Sequence, residues 1–203
     1  MTSRARFVLP ALLLCLVTAV PAAALDLGGH VRDGVVVGVL LGGGWNDYNF
    51  EVKGLQPTSV SSGSAFTGGV NVGWARNDHL VGSIGFYGWK KSFYNNITPI
   101  NSSAYYFMGE VSWFPRGEGF WIKGGIGWAN SDFTVVTPEE WKVLAGNTLA
   151  YALGAGYEFR LGGTTALGIA YDARWADYGE SDFFYYNDSL LQTWSLSIRY
   201  YAD

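Results

Sequence analysis

Seven ionisable side chains, Glu110, Lys123, Glu158, Arg160, Asp172, Arg174 and Arg199, stand in stretches otherwise rich in glycine, alanine and large apolar residues. Carboxylates and cations drawn together away from water can move protons, select a passing ion, or hold one another neutral. Other chemistry-bearing types are sparse: two histidines, His30 and His79, and one cysteine, Cys15. No Cys/His set has metal-ligand spacing, and no glycine-rich phosphate cradle or nucleotide fingerprint occurs. The sequence therefore assigns no catalytic residue, no cofactor and no metal ligand.

The segment TLAYALGAGYEFRLGG (148–163) indicates what positions such charges. Leu149, Tyr151, Leu153, Tyr157 and Phe159 alternate with Ala150, Ala152, Gly154, Gly156, Glu158 and Arg160. Period-two alternation is a strand signal. A soluble strand, however, backs its apolar face with polar residues rather than with glycine and alanine.

The start of the chain bears on this. Arg4 and Arg6 precede an apolar run, Phe7 to Val20, which ends in Pro21-Ala22-Ala23-Ala24. That order is a secretory signal over residues 1–24, cleaved before Leu25. The run is short for a membrane-spanning helix and contains Pro10. Cys15 lies inside it, so residues 25–203 read as one exported, cysteine-free domain that needs no disulfide. The net charge of −4 becomes more negative once Arg4 and Arg6 are lost, which argues against a nucleic-acid partner.

Aromatic residues make up 17% of the chain, glycines number 28, and only 15% of residues are charged. Period-two segments recur over 34–45, 64–75, 80–90, 103–114, 120–129, 148–160, 165–175 and 190–201. Each matches a tilted bilayer-crossing strand of about 10 residues. Arg76–His79, Pro115–Gly119 and Leu161–Thr164 read as tight turns. Asn46–Gly63, Lys91–Ser102, Asn130–Asn147 and Ala176–Ser189 read as long loops. The alternation predicts an all-β fold: an eight-stranded antiparallel transmembrane β-barrel with short periplasmic turns and long outer loops.

On this reading one face, with Val35, Val37, Val39, Leu41, Phe66, Val70, Ile84, Phe107, Leu196 and Ile198 among its residues, meets lipid. Trp74, Trp113 and Tyr200 mark the periplasmic interface; Trp45, Trp128, Trp175 and Trp194 mark the outer one. Glycine and alanine face a lumen barely wide enough for side chains, which Tyr87, Trp89, Tyr106, Met108 and Phe114 fill. The seven charges fall on the inward parity. If Phe114 faces Gly119 across the turn, Glu110 faces Lys123. A plug of paired charges is the favoured reading over a selective channel or a catalytic cluster.

An enzyme of this architecture acting on lipid A or phospholipid needs a histidine base near the outer rim. His30 and His79 both fall on the periplasmic side, and a non-enzymatic protein is expected. The outer loops offer surface instead. Thr137-Pro138-Glu139-Glu140 fits a helix-capping box, with Trp141, Val143 and Leu144 on the helix and Gly146 ending it. The stretch ADYGESDFFYYND packs four acids and five aromatics into thirteen residues. Trp141, Tyr178, Phe183, Phe184, Tyr185 and Tyr186 are thus the candidate contact surface for an extracellular ligand.

FPRGEGFWIKGGIG (114–127) and GAGYEFRLGG (154–163) resemble the turn-and-glycine hairpins of the small bacterial outer-membrane β-barrel family, of the OmpA transmembrane-domain, OmpX and opacity-protein type, also termed porin-family barrels. The resemblance covers residues 30–203. It implies a Gram-negative outer-membrane location, outer-membrane lipid and lipopolysaccharide as surroundings, and the barrel-assembly machinery as a partner. One departure is that Tyr200 and Tyr201 are followed by Ala202-Asp203 rather than by a terminal aromatic. The expected role is structural or surface interaction; a small-solute conduit of the OmpW type and a lipid A-modifying enzyme are the alternatives.

Overall fold

The computed structural model describes residues 32–52, 59–95, 98–117, 119–135, 141–161, 163–180 and 184–202. The expected signal segment, His30 and Phe183 lie outside them. Eight strands follow one another: β1 (Gly34–Val52), β2 (Ser59–Asn77), β3 (Leu80–Asn95), β4 (Thr98–Trp113), β5 (Phe120–Val135), β6 (Trp141–Arg160), β7 (Thr165–Asp177) and β8 (Phe184–Ala202). Each pairs antiparallel with the next, and β8 closes on β1. Followed through the register from Val37, by way of Val72, Ile84, Gly109, Ile126, Tyr151, Trp175 and Leu190, the ladder returns to β1 at Asp47, ten residues further on. That stagger tilts the strands and leaves no open edge.

The period-two pattern assigns the faces. Phe66, Leu196, Leu41 and Ile84 are each more than half exposed, as is Trp128 in the outer aromatic ring. So much outward apolar surface suits lipid rather than water. Inside, two apolar layers fill the lumen. Tyr87, Trp89, Tyr106, Met108 and Leu191 belong to one. Val36, Val81, Phe114, Trp121 and Tyr201 form the other, at the end carrying the short turns. Bulk at one inward position requires its absence at the neighbouring inward position of the same or the adjacent strand. A Cβ on Gly156 would lie 2.5 Å from the Trp121 ring, and one on Gly69 or Gly85 would enter the Tyr87 ring.

Three expectations are corrected. The strands run well past the apolar belt, so the outer connections shrink to 53–58, 96–97, 136–140 and 178–183. Polar stretches such as Asn46–Asn49 still pair with Val60–Gly63, because backbone ladders need no apolar side chains. Secondly, Trp141–Leu144 is not helical: these residues pair with Asp132–Val135 in a β5–β6 hairpin. An isolated cap cannot outweigh a ready cross-strand partner for an aromatic and β-branched segment. Thirdly, Lys123 pairs with Ser112 and Glu110 with Gly125, two residues off the expected register. Phe114 is not a ladder residue. Its N–H donates to the His79 carbonyl (2.8 Å) and its carbonyl accepts from Gly117 (3.0 Å), while Gly117 and Gly119 turn the chain with φ of +74° and +65°. The left-handed region at both positions is what glycine supplies.

Candidate functional site: a charged lumen

Two ionic clusters lie in the lumen. The central one comes from inward positions of β4, β5 and β7. Lys123 Nζ lies 3.2 Å from Glu110 and 2.9 Å from Asp172. Arg174 stands 3.7 Å from Asp172 and 3.9 Å from Glu110, with its guanidinium 4.1 Å from the Tyr87 ring centre. The Tyr87 hydroxyl donates to Glu110. Two acids and two cations balance, and all four are buried. Room for the layer comes from β6: a Cβ on Gly154 would meet the Asp172 carboxylate and lie 3.0 Å from the Lys123 side chain.

The second cluster closes the turn end. Glu158 accepts from Arg199 at 3.1 Å, from Arg32 at 3.3 Å and from the Tyr201 hydroxyl at 2.8 and 2.9 Å. Arg32 also donates to the backbone carbonyls of Asp78 (2.9 Å) and Gly117, and its own N–H to the Asp78 carboxylate at 2.6 Å. Its guanidinium stacks 3.7 Å over Phe114, and that of Arg199 lies 5.0 Å from Trp121.

Of the seven sequence-derived charges, Glu110, Lys123, Asp172 and Arg174 meet in the centre, and Glu158 and Arg199 at the turn end. Arg160 departs from the expectation: it stays half-exposed, 5.3 Å from the Tyr201 ring, outside both clusters. It sits at the last residue of β6, where the guanidinium can reach water. Arg32, fully buried, is the residue the sequence reading missed. Its even number continues the inward parity of Gly34, Val36 and Gly38, so extending the alternation two residues before β1 would have found it. Between Lys123, Asp172, Arg199, Asn71, Ser195 and Ser197 lies a cavity of about 10 Å³. That is room for a single water molecule.

The outer surface candidates also divide. Tyr178 is corrected: it is 8% exposed and packs with the inner apolar layer, near Tyr106. It follows β7 on the inward parity, so its ring turns into the lumen at the outer end. Trp141 begins β6 opposite Val135, and Phe184 and Tyr186 lie on β8 opposite Val52 and Glu51; Tyr185 sits between them. His79 spends Nδ1 on the Phe114 carbonyl at 2.8 Å, at the turn end. Among the described residues no group of three metal-ligating side chains occurs.

A model of the outer membrane protein β-barrel domain matches residues 11–200. Among solved structures, Neisserial surface protein A is similar with a TM-score of 0.52 at 11% identity, covering 86% of this chain and all of that one. Ail of Yersinia pestis, solved with the heparin analogue sucrose octasulfate, gives 0.48 at 13% identity over 83% of this chain and 98% of its own. OprG of Pseudomonas aeruginosa gives 0.47 at 12% identity over 85% and 97%. Likeness at such identities is one of fold. No curated protein matches the chain.

Proposed function

Because the chain belongs to the outer membrane protein β-barrel family, we propose that it is a structural and surface-interaction barrel whose lumen is plugged rather than conducting. One observation carries this reading. At mid-lumen the four paired charges and the fully buried Tyr87, Tyr106 and Met108 occupy the cross-section. An ion taking this route would have to part Lys123 from both its acids. Planar-bilayer recording on the folded protein tests it: no stepwise conductance is expected, and stable unitary steps would reinstate the solute conduit.

Surface interaction rests on the outer hairpin ends, with Trp141 and Phe183–Tyr186 as the contact residues and an extracellular ligand, outer-membrane lipid or lipopolysaccharide as the partner. The barrel-assembly machinery would insert the chain. Replacing Trp141, Phe183, Phe184, Tyr185 and Tyr186 together by serine should leave the barrel folded and lower binding to cell surfaces; binding that persists would move recognition elsewhere. The lipid A-modifying alternative has no supporting constellation among the described residues, where His79 lies at the end away from the outer hairpins. A lipid A mass profile that is unchanged by expression of the protein is the expected outcome.

A further inference from the structure

The lipid face is not evenly covered. Gly68 of β2 and Gly88 of β3 are direct cross-strand partners, and both occupy outward positions, leaving bare backbone. Leu41, Phe66, Val70, Phe86, Lys90 and Tyr105 surround this floor as a groove of about 430 Å³. That volume is within the range of about 300–1,000 Å³ typical of small-molecule sites. Phe86 and Tyr105 form a rigid wall, stacked with centroids 5.9 Å apart and planes within 13°. Lys90 stands across from Phe66, one outward position above the glycine floor and on the side of the outer hairpins. It is exposed, and among the described residues no carboxylate pairs with it.

We propose that this groove seats one acyl chain of an anionic, phosphate-bearing lipid in the outer leaflet, with the Lys90 ammonium against a headgroup that carries net negative charge. Smooth apolar wall gains nothing from one lipid over another, because all tails are equally apolar. A notch with aromatic sides packs a single chain closely, and a cation at headgroup depth adds a preference for anionic lipid. A second copy of the protein is the other conceivable occupant, since small residues allow close approach. A two-fold contact through the notch would bring Lys90 toward Lys90, and that repulsion favours the lipid. The proposal is independent of whether the lumen conducts, so the two fail separately.

Native mass spectrometry of the full chain, folded in detergent and titrated with phosphatidylglycerol or phosphatidylcholine of equal chain length, is the test. One phosphatidylglycerol should be retained with about fivefold preference, the factor one lysine near an anionic headgroup contributes. Lys90→Gln should abolish the preference while chain binding survives. Gly88→Leu should lower retention of both lipids; its Cβ meets Tyr105 at 3.4 Å and no backbone atom closer than 4.0 Å, so the barrel should still fold. Gly88→Ala replaces it should the larger side chain prevent folding, with a smaller loss expected. Equal retention of the two lipids, a preference that survives Lys90→Gln, or dimers that vanish with Gly88→Leu would each overturn the assignment.

Discussion

The two lumen clusters solve the same problem in opposite ways. The central layer takes every member from a strand, and each acid faces both cations, so the set is neutral by itself. The turn-end cluster places one acid, Glu158, between two guanidiniums, and completes Arg32 with backbone carbonyls of the first and second turns. The difference separates a device that fills the barrel from one that ties the chain preceding β1 to the turns. Buried ion pairs add little over apolar packing, but removing one partner leaves a stranded charge. The expected effects therefore follow from how many alternative partners each residue leaves behind.

Lys123→Glu should be the most damaging change, because it sets three acids against Arg174. A loss of about 5 kcal/mol, the upper end for stranding a buried charge, is expected in the urea midpoint measured in lipid vesicles. Adding Glu110→Lys should recover only part of it. Asp172, 2.9 Å from Lys123 Nζ, would still oppose the new glutamate. Full recovery would mean that Lys123 serves Glu110 alone and that the cluster is really a pair.

Glu158→Gln comes next, at about 3 kcal/mol, since it leaves two buried guanidiniums facing an amide. The same midpoint measurement applies. A loss smaller than that of an Arg32 substitution would reverse the roles assigned to the acid and its partners.

The contrast between the clusters also marks what was legible in the sequence. Parity alone selects Glu110, Lys123, Asp172 and Arg174, because strand side chains alternate strictly and buried charges seek partners. Which of them touch depends on register, and register depends on turn length. Phe114 looked like a ladder residue, yet it caps the lumen floor, so the turn takes two more residues than its sequence suggests. Outside the membrane the strict alternation lapses while backbone pairing continues, which is why Trp141–Leu144 read as a helix within a loop and Phe184–Tyr186 as loop. Arg32 escaped for a related reason: alternation outlasts the strand it belongs to.

Gly156→Val probes the space rather than the charge. Its Cβ would lie 2.5 Å from both the Trp121 ring and the Ile169 carbonyl. Overpacking of this kind costs about 1–3 kcal/mol. Because Trp121 lies beneath Arg199, the loss should appear together with a changed near-ultraviolet tryptophan signal. An unchanged spectrum with full stability would show the wall to be less tightly filled than described.

Arg32→Met should be the mildest substitution and the one that separates the clusters most cleanly. Methionine keeps apolar contact with Phe114 while removing the charge. Glu158 then retains Arg199 and Tyr201, so the acid is still paired and no guanidinium is stranded. What disappears is the guanidinium hydrogen bonding to the Asp78 and Gly117 carbonyls at the turn-end mouth, where water can take over, for about 1 kcal/mol. The backbone N–H of residue 32 keeps the Asp78 carboxylate. The mouth should loosen, and backbone amides at Asp78–Leu80 and Gly117 should exchange faster with deuterium. Conductance should not follow, because the central layer still closes the lumen behind it. Faster exchange without conductance is the outcome that makes the turn-end cluster a clamp and the central layer the plug. Steps of conductance in Arg32→Met would show instead that the mouth was the barrier, and the two clusters would exchange roles.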